Sequence, residues 1–225
     1  MENKKTRGKK KGWIILAVLL LILLAGTWYL FLGVRIPDAD SEIIKGEAGT
    51  KALIVYFTRS GVITTEGNVD AVSSASMNVR DGVTEAAALQ LQRITGADLY
   101  EIRTERYYRN SFVGTAATAW IEEALNTRPK LAAQPESLDA YDVIYVGFPV
   151  WWFNAPMAIG SFLESYDLSG KTVVPFCTSQ DNEIDVCMDY ICEVSGSATV
   201  LDGYRFRNSS DEDVIRWLNG IGLYE

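Results

Sequence analysis

Three apolar runs constrain this chain more than anything else in it: Ala52 to Phe57, Val143 to Phe148 and Thr172 to Phe176. Each is rich in β-branched and aromatic residues and too short for a helix, so it reads as a strand buried on both faces, the mark of a parallel sheet. Each also delivers a loop of its own chemistry. Small hydroxyls and a glycine follow the first run (Thr58-Arg59-Ser60-Gly61), aromatics the second (Pro149-Val150-Trp151-Trp152-Phe153), and polar groups the third (Cys177-Thr178-Ser179-Gln180-Asp181).

Helical stripes separate the runs. Val83, Ala87, Leu91 and Ile94 form one, stopped at Thr95-Gly96; Ala117, Trp120, Ile121, Ala124 and Leu125 form another, stopped before Pro129, with Trp120 expected in the core. Pro156 suits the first turn of a helix carrying Ile159, Phe162, Leu163 and Tyr166. A helix through Ile184 to Ile191 and a last one capped near Ser210 follow. Asp98 to Arg103 reads as an outer strand and Ala198 to Leu201 as a short one. Strand alternating with helix, without internal repeat, predicts a doubly wound α/β sheet whose ligands bind beyond the carboxyl ends of the strands. Backbone N–H groups and hydroxyls after the first strand suit an anion at the next helix's positive end.

The N-terminus is a separate problem. Trp13 to Val34 carries no charge and is long enough to cross the ~30 Å hydrocarbon core of a bilayer as a helix. Lys4, Lys5, Arg7, Lys9, Lys10 and Lys11 precede it, whereas Arg35 is followed by Asp38, Asp40 and Glu42. The excess of basic residues predicts a cytoplasmic tail over 1–12, a single-pass transmembrane signal anchor over 13–34 and a domain outside the cytoplasm. A cleaved signal peptide is the competing reading. Its apolar core is usually shorter, and Trp28, Tyr29 and Phe31 stand where small residues would be needed. Residues 35–50, with Pro, Asp, Ser, Glu and Gly, read as a linker, and 51–225 as the folded domain.

Charge and composition exclude several function classes. Residues 1–35 hold seven of the 21 basic and one of the 29 acidic residues, so the rest has fourteen basic against 28 acidic, a formal −14. Such a domain repels nucleic acid and anionic lipid. With no histidine in the chain, Ser-His-Asp and Cys-His catalysis and His-ligated metals are removed together. Cys177, Cys187 and Cys192 lack C-x-x-C spacing and read as buried thiols, so no metal site is expected.

Four pieces in order resemble the flavodoxin family over about residues 51–220. They are Tyr56-Phe57-Thr58-Arg59-Ser60-Gly61, Gly96-Ala97-Asp98-Leu99-Tyr100-Glu101-Ile102, Tyr141 to Trp152 with Ala155-Pro156, and Gly170 to Ser179. The resemblance implies a flavodoxin-like five-stranded sheet, bound FMN and electron transfer. It carries over a phosphate loop at Thr58, Arg59, Ser60 and Gly61, continued at Gly82, Val83 and Thr84 after an insertion over Val62 to Asp81. It also carries over a ring site at Pro149, Val150, Trp151, Trp152 and Phe153, and a third loop at Cys177, Thr178, Ser179 and Asp181. Phe153 departs from the glycine common in relatives with a double tryptophan, and a residue with a Cβ resists a backbone that needs φ > 0.

A membrane-tethered electron carrier with an unidentified redox partner is the leading expectation. The alternatives are an FMN-dependent NAD(P)H or quinone oxidoreductase and a non-catalytic binding module. A receiver module lacks support because Gly147-Phe148-Pro149 ends the strand where its aspartate is required.

Overall fold

The computed structural model describes residues 3–31, 34–35, 41–47, 49–58, 83–108 and 112–224. Its centre is a parallel sheet built from β2 (Ala52–Phe57), β3 (Asp98–Ile102), β5 (Val143–Pro149), β6 (Thr172–Thr178), β7 (Thr199–Val200) and β8 (Tyr204–Phe206). The order is β3-β2-β5-β6-β7, with β8 also on β6. Side chains alternate across β2: Leu53, Val55 and Phe57 enter one apolar cluster with α3 (Phe112–Ala124), α4 (Met157–Leu163) and α5 (Asp185–Val194). Ile54 and Tyr56 enter the other, with α2 (Val83–Thr95) and α6 (Asp211–Gly220). Both faces are therefore covered, which is why the central strands are apolar throughout.

The expected five strands become six because the fifth position is split. β7 pairs with Thr172–Val173 and β8 with Phe176–Thr178 on the same edge of β6. Leu201 N–H donates to the Val173 carbonyl, so alternate residues of β6, including Pro175, face this edge. Pro175 has no N–H to offer there, and the ladder breaks beside it. Gly203 fits the gap: a Cβ on it would meet the Pro175 carbonyl oxygen at 3.0 Å and Ile184 Cδ1 at 2.5 Å.

The segment read as a linker is partly built into the sheet. At its start, β1 (Val34–Arg35) pairs antiparallel with β4 (Arg106–Tyr107) in a separate two-stranded sheet, Val34 opposite Tyr107. Ile44 exchanges two backbone hydrogen bonds with Leu99, at 2.8 and 2.9 Å, and so covers the free edge of β3. Beside it the Asp98 carboxylate accepts from Lys45 Nζ (2.7 Å), Tyr141 Oη (2.7 Å) and the Gly46 N–H (2.9 Å). Burial opposes the charge on Asp98, but these bonds hold its carboxyl below the usual range.

Helix α1 spans Asn3–Phe31. Its side chains from residue 12 to residue 26 are exposed, and among the described residues no helix is long and apolar enough to cross a membrane. The insertion over Val62 to Asp81 lies outside the described residues. Two further expectations change. Trp120 is exposed rather than in the core, and Cys192 is exposed while Cys177 and Cys187 are buried.

Candidate functional site

The carboxyl ends of β2, β5 and β6 and the start of α2 meet at one edge of the sheet, joined by specific contacts. Thr84, in the first turn of α2, lies 2.7 Å hydroxyl to hydroxyl from Thr178 at the end of β6. Both are buried, as is Thr58 at the end of β2. The Val150 N–H donates to the Thr178 carbonyl at 3.1 Å, joining the second loop to the third. Phe57 of β2 meets Trp151 edge to face, at 5.4 Å and 88°, joining the end of β2 to the second loop. Side-chain hydroxyls thus converge where the amino-terminal end of α2 carries its partial positive charge.

The second loop has an unusual backbone. Trp151 N–H donates to the Asn154 carbonyl (2.8 Å) and Asn154 N–H to the Trp151 carbonyl (2.9 Å), closing a two-residue turn. Its central residues, Trp152 and Phe153, have φ of +50° and +65°. That is the pattern of a I′ turn, normally filled by Asn-Gly, and each Cβ held there costs roughly 1–2 kcal/mol. Phe153 therefore adopts the left-handed backbone in spite of its Cβ.

The two tryptophans diverge. Trp151 is buried, edge-on to Tyr108 at 4.9 Å as well as to Phe57. Trp152 is 44% exposed, its indole fixed by a 2.9 Å bond from Nε1 to the Ala116 carbonyl of α3. Phe153 is 66% exposed. Asn154 closes the loop, its Oδ1 accepting from the Ala155 N–H at 2.8 Å.

Among the remaining sequence-predicted residues, Pro149 ends β5 and Val150 follows it, buried. Val83 opens α2 at the surface. The Cys177 side chain is fully buried in the apolar cluster below the loop, and burial pushes its thiol far up. Ser179 Oγ accepts from the Asn182 N–H at 2.9 Å, shaping the third loop. Asp181 is exposed and caps no helix, since Ile184 occupies the position before α5. Arg59, Ser60, Gly61 and Gly82 lie outside the described residues.

Sequence reasoning missed Tyr108 and Glu122. Tyr108 Oη donates to Glu122 Oε2 at 2.6 Å behind Trp151. Burial lifts the Glu122 carboxyl to about 7, against the pull of the Tyr108 hydrogen bond. Neither residue sits in a motif, and Tyr108 falls in a stretch without periodicity. Only its neighbour Tyr107, a second aromatic, hinted at packing there.

Comparison with known proteins places this architecture. No curated protein matches the chain. Among solved structures, a protein described as a flavoprotein from Bacteroides uniformis is 28% identical, with a TM-score of 0.61 over 76% of this chain and 99% of its own. One so described from Bacteroides eggerthii is 26% identical, with a TM-score of 0.63 over 77% and 98%. A flavoprotein from Lactobacillus acidophilus, solved in complex with FMN, shares the fold at 20% identity, with a TM-score of 0.55 over 75% and 99%. The family model described as flavodoxin matches residues 71–221, two thirds of the chain and all of the sheet from β3 onward, and the chain belongs to the flavodoxin family.

Proposed function

We propose that this chain is an FMN-binding electron-transfer protein, tethered to a membrane by α1 with its domain outside the cytoplasm. The observation that carries the flavin reading is the joining of buried hydroxyls at the start of α2 to an aromatic turn after β5, on one edge of the sheet. Thr58, Thr84 and Thr178 suit a phosphate, because hydroxyls and a helix N-terminus stabilise an anion without bringing a bulky side chain. Trp152 and Phe153 present aromatic surface for a flat ring, and Ser179 shapes the loop that would meet its polar edge. Bound FMN supplies a ring that takes up and releases electrons singly or in pairs. The residues of this chain hold and orient it and keep water from one side.

The tether reading rests on the sequence of 13–34 and on the basic residues before it. Among the described residues, the ends of the three strands bring together threonine hydroxyls and aromatic rings, groups suited to holding a flat phosphorylated ring, which favours a carrier.

The test is the visible spectrum of the full chain purified from membranes in detergent, followed by release and identification of the chromophore. FMN at one per chain is the expected result; a colourless protein that fails to take up added FMN overturns the reading. Steady oxidation of NAD(P)H with quinone by the same preparation would assign an oxidoreductase instead.

A further inference from the structure

Helix α3 carries no charged residue on any side from Phe112 to Ile121. Gly114, Thr115, Ala116, Thr118 and Ala119 are buried against the sheet. A second stripe, Val113, Ala117, Trp120 and Ala124 at helical spacing, points the other way. Val113 is 74% exposed and Trp120 56%. An apolar helix stripe is ordinarily buried, and here the outward one has no cover within the domain. Phe153 extends the same surface, because the turn that carries it is fastened to α3 through Trp152 and Ala116.

The chain itself indicates what lies against this surface. α1 touches α3. It ends at Phe31, three residues before Val34, and Val34 pairs with Tyr107, next to the Tyr108 that packs on Trp151. The apolar helix therefore enters the domain beside the aromatic turn and not at the far end of the sheet. The two acidic residues of α3 are each hydrogen-bonded to a neighbour, Glu122 to Tyr108 at 2.6 Å and Glu123 to Asn154 at 3.5 Å, and neither belongs to the outward stripe.

We propose that the outward stripe of α3, with Phe153 of the adjoining turn, rests on the surface of the lipid bilayer that α1 enters, so that the aromatic rim of the site opens at the membrane. This rests on the tether reading given above. Two features of the surface fit a lipid interface. Exposed indole rings are favoured at the headgroup level. The strained turn also holds the Phe153 ring outward, where it buries little surface within the domain.

The test uses the full chain in vesicles of neutral phosphatidylcholine, some of it carrying a headgroup nitroxide. One fluorophore is attached at Val113→Cys or Trp120→Cys, each combined with Cys192→Ser, and in a separate sample at the native exposed Cys192 on α5. Far-UV circular dichroism of each sample checks the fold, and Val113→Cys is the mild change should Trp120→Cys unfold. We expect labels at 113 and 120 to be quenched several-fold more than the label at 192. Equal, weak quenching at all three sites in a chain that floats with the vesicles overturns the proposal while leaving the tether intact. Cross-linking of Trp120→Cys between two copies under the same conditions also overturns it, by giving the stripe to a second copy of this chain. A chain that fails to float with the vesicles overturns the tether reading and the proposal together.

Discussion

The two ends of the candidate site are built on opposite plans. At the hydroxyl end, Thr84 and Thr178 sit on a helix and a strand with ordinary backbones, are fully enclosed, and meet at 2.7 Å. At the aromatic end, two bulky residues occupy a strained turn and face outward, held by one buried indole behind them. The first end is positioned by regular secondary structure, its hydroxyls tied across helix and strand by the Thr84–Thr178 contact. The second is positioned by packing, so its stability and its recognition are harder to separate. Substitutions at each end should behave accordingly.

Trp151→Ala should have the largest effect. It empties a site enclosed by Phe57 and Tyr108, and truncating a buried tryptophan costs about 3–5 kcal/mol. Urea unfolding of the full chain should show a midpoint lowered to match. A loss under about 1 kcal/mol would mean that the turn is held by its backbone alone, and the contrast between the ends would collapse.

At the hydroxyl end the effect should fall on the ligand. A hydrogen bond to a charged group is worth roughly 1.5–3 kcal/mol, so Thr84→Ala and Thr178→Val should each weaken FMN by about tenfold to a hundredfold. Riboflavin, which has no phosphate, serves as the control. Calorimetric titration of the apoprotein that finds equal losses for both ligands would show that these threonines act only through the fold.

The aromatic end should also respond to pH where the hydroxyl end does not. In the folded chain burial raises the Glu122 carboxyl from its ordinary 4.5 to about 7, so the native state holds this proton more tightly than the unfolded one. The native state is favoured fully below about pH 4.5, and this contribution is lost as pH rises through about 7. With Glu122 in part solvated, the change should be on the order of 1–2 kcal/mol. Glu122→Gln, which keeps a partner for Tyr108, should flatten that part of the stability profile. An unchanged profile in the variant would remove Glu122 as its source.

How much of this was legible in the sequence follows from the same contrast. The central strands announce themselves because both faces are buried, and Gly96, with φ of +67°, ends α2 where the sequence places the stop. The hydroxyl end is legible because its residues lie at strand and helix termini. Trp120 was misplaced because α3 is uncharged on every side from Phe112 to Ile121, and periodicity cannot choose between two apolar faces. The break between β7 and β8 was hidden because its cause, Pro175, acts across the sheet from a different strand. The turn at 151–154 was not legible from turn chemistry, since Trp-Phe stands where the I′ pattern calls for Asn-Gly, and only the missing glycine at Phe153 pointed to a special backbone there.

The smallest expected effect would sharpen the contrast most. Phe153→Gly removes a Cβ from a residue at φ +65° whose ring is largely exposed, so the folded state loses strain and little packing. Glycine also has more freedom to lose on folding, which offsets part of the relief. The net should be a gain of about 0.5–1 kcal/mol in urea unfolding, in the direction opposite to Trp151→Ala two residues away. A clear loss would mean that the Phe153 ring contributes packing that outweighs its backbone strain. The aromatic end would then resemble the hydroxyl end in being built for its own stability, and outward presentation would no longer account for the turn.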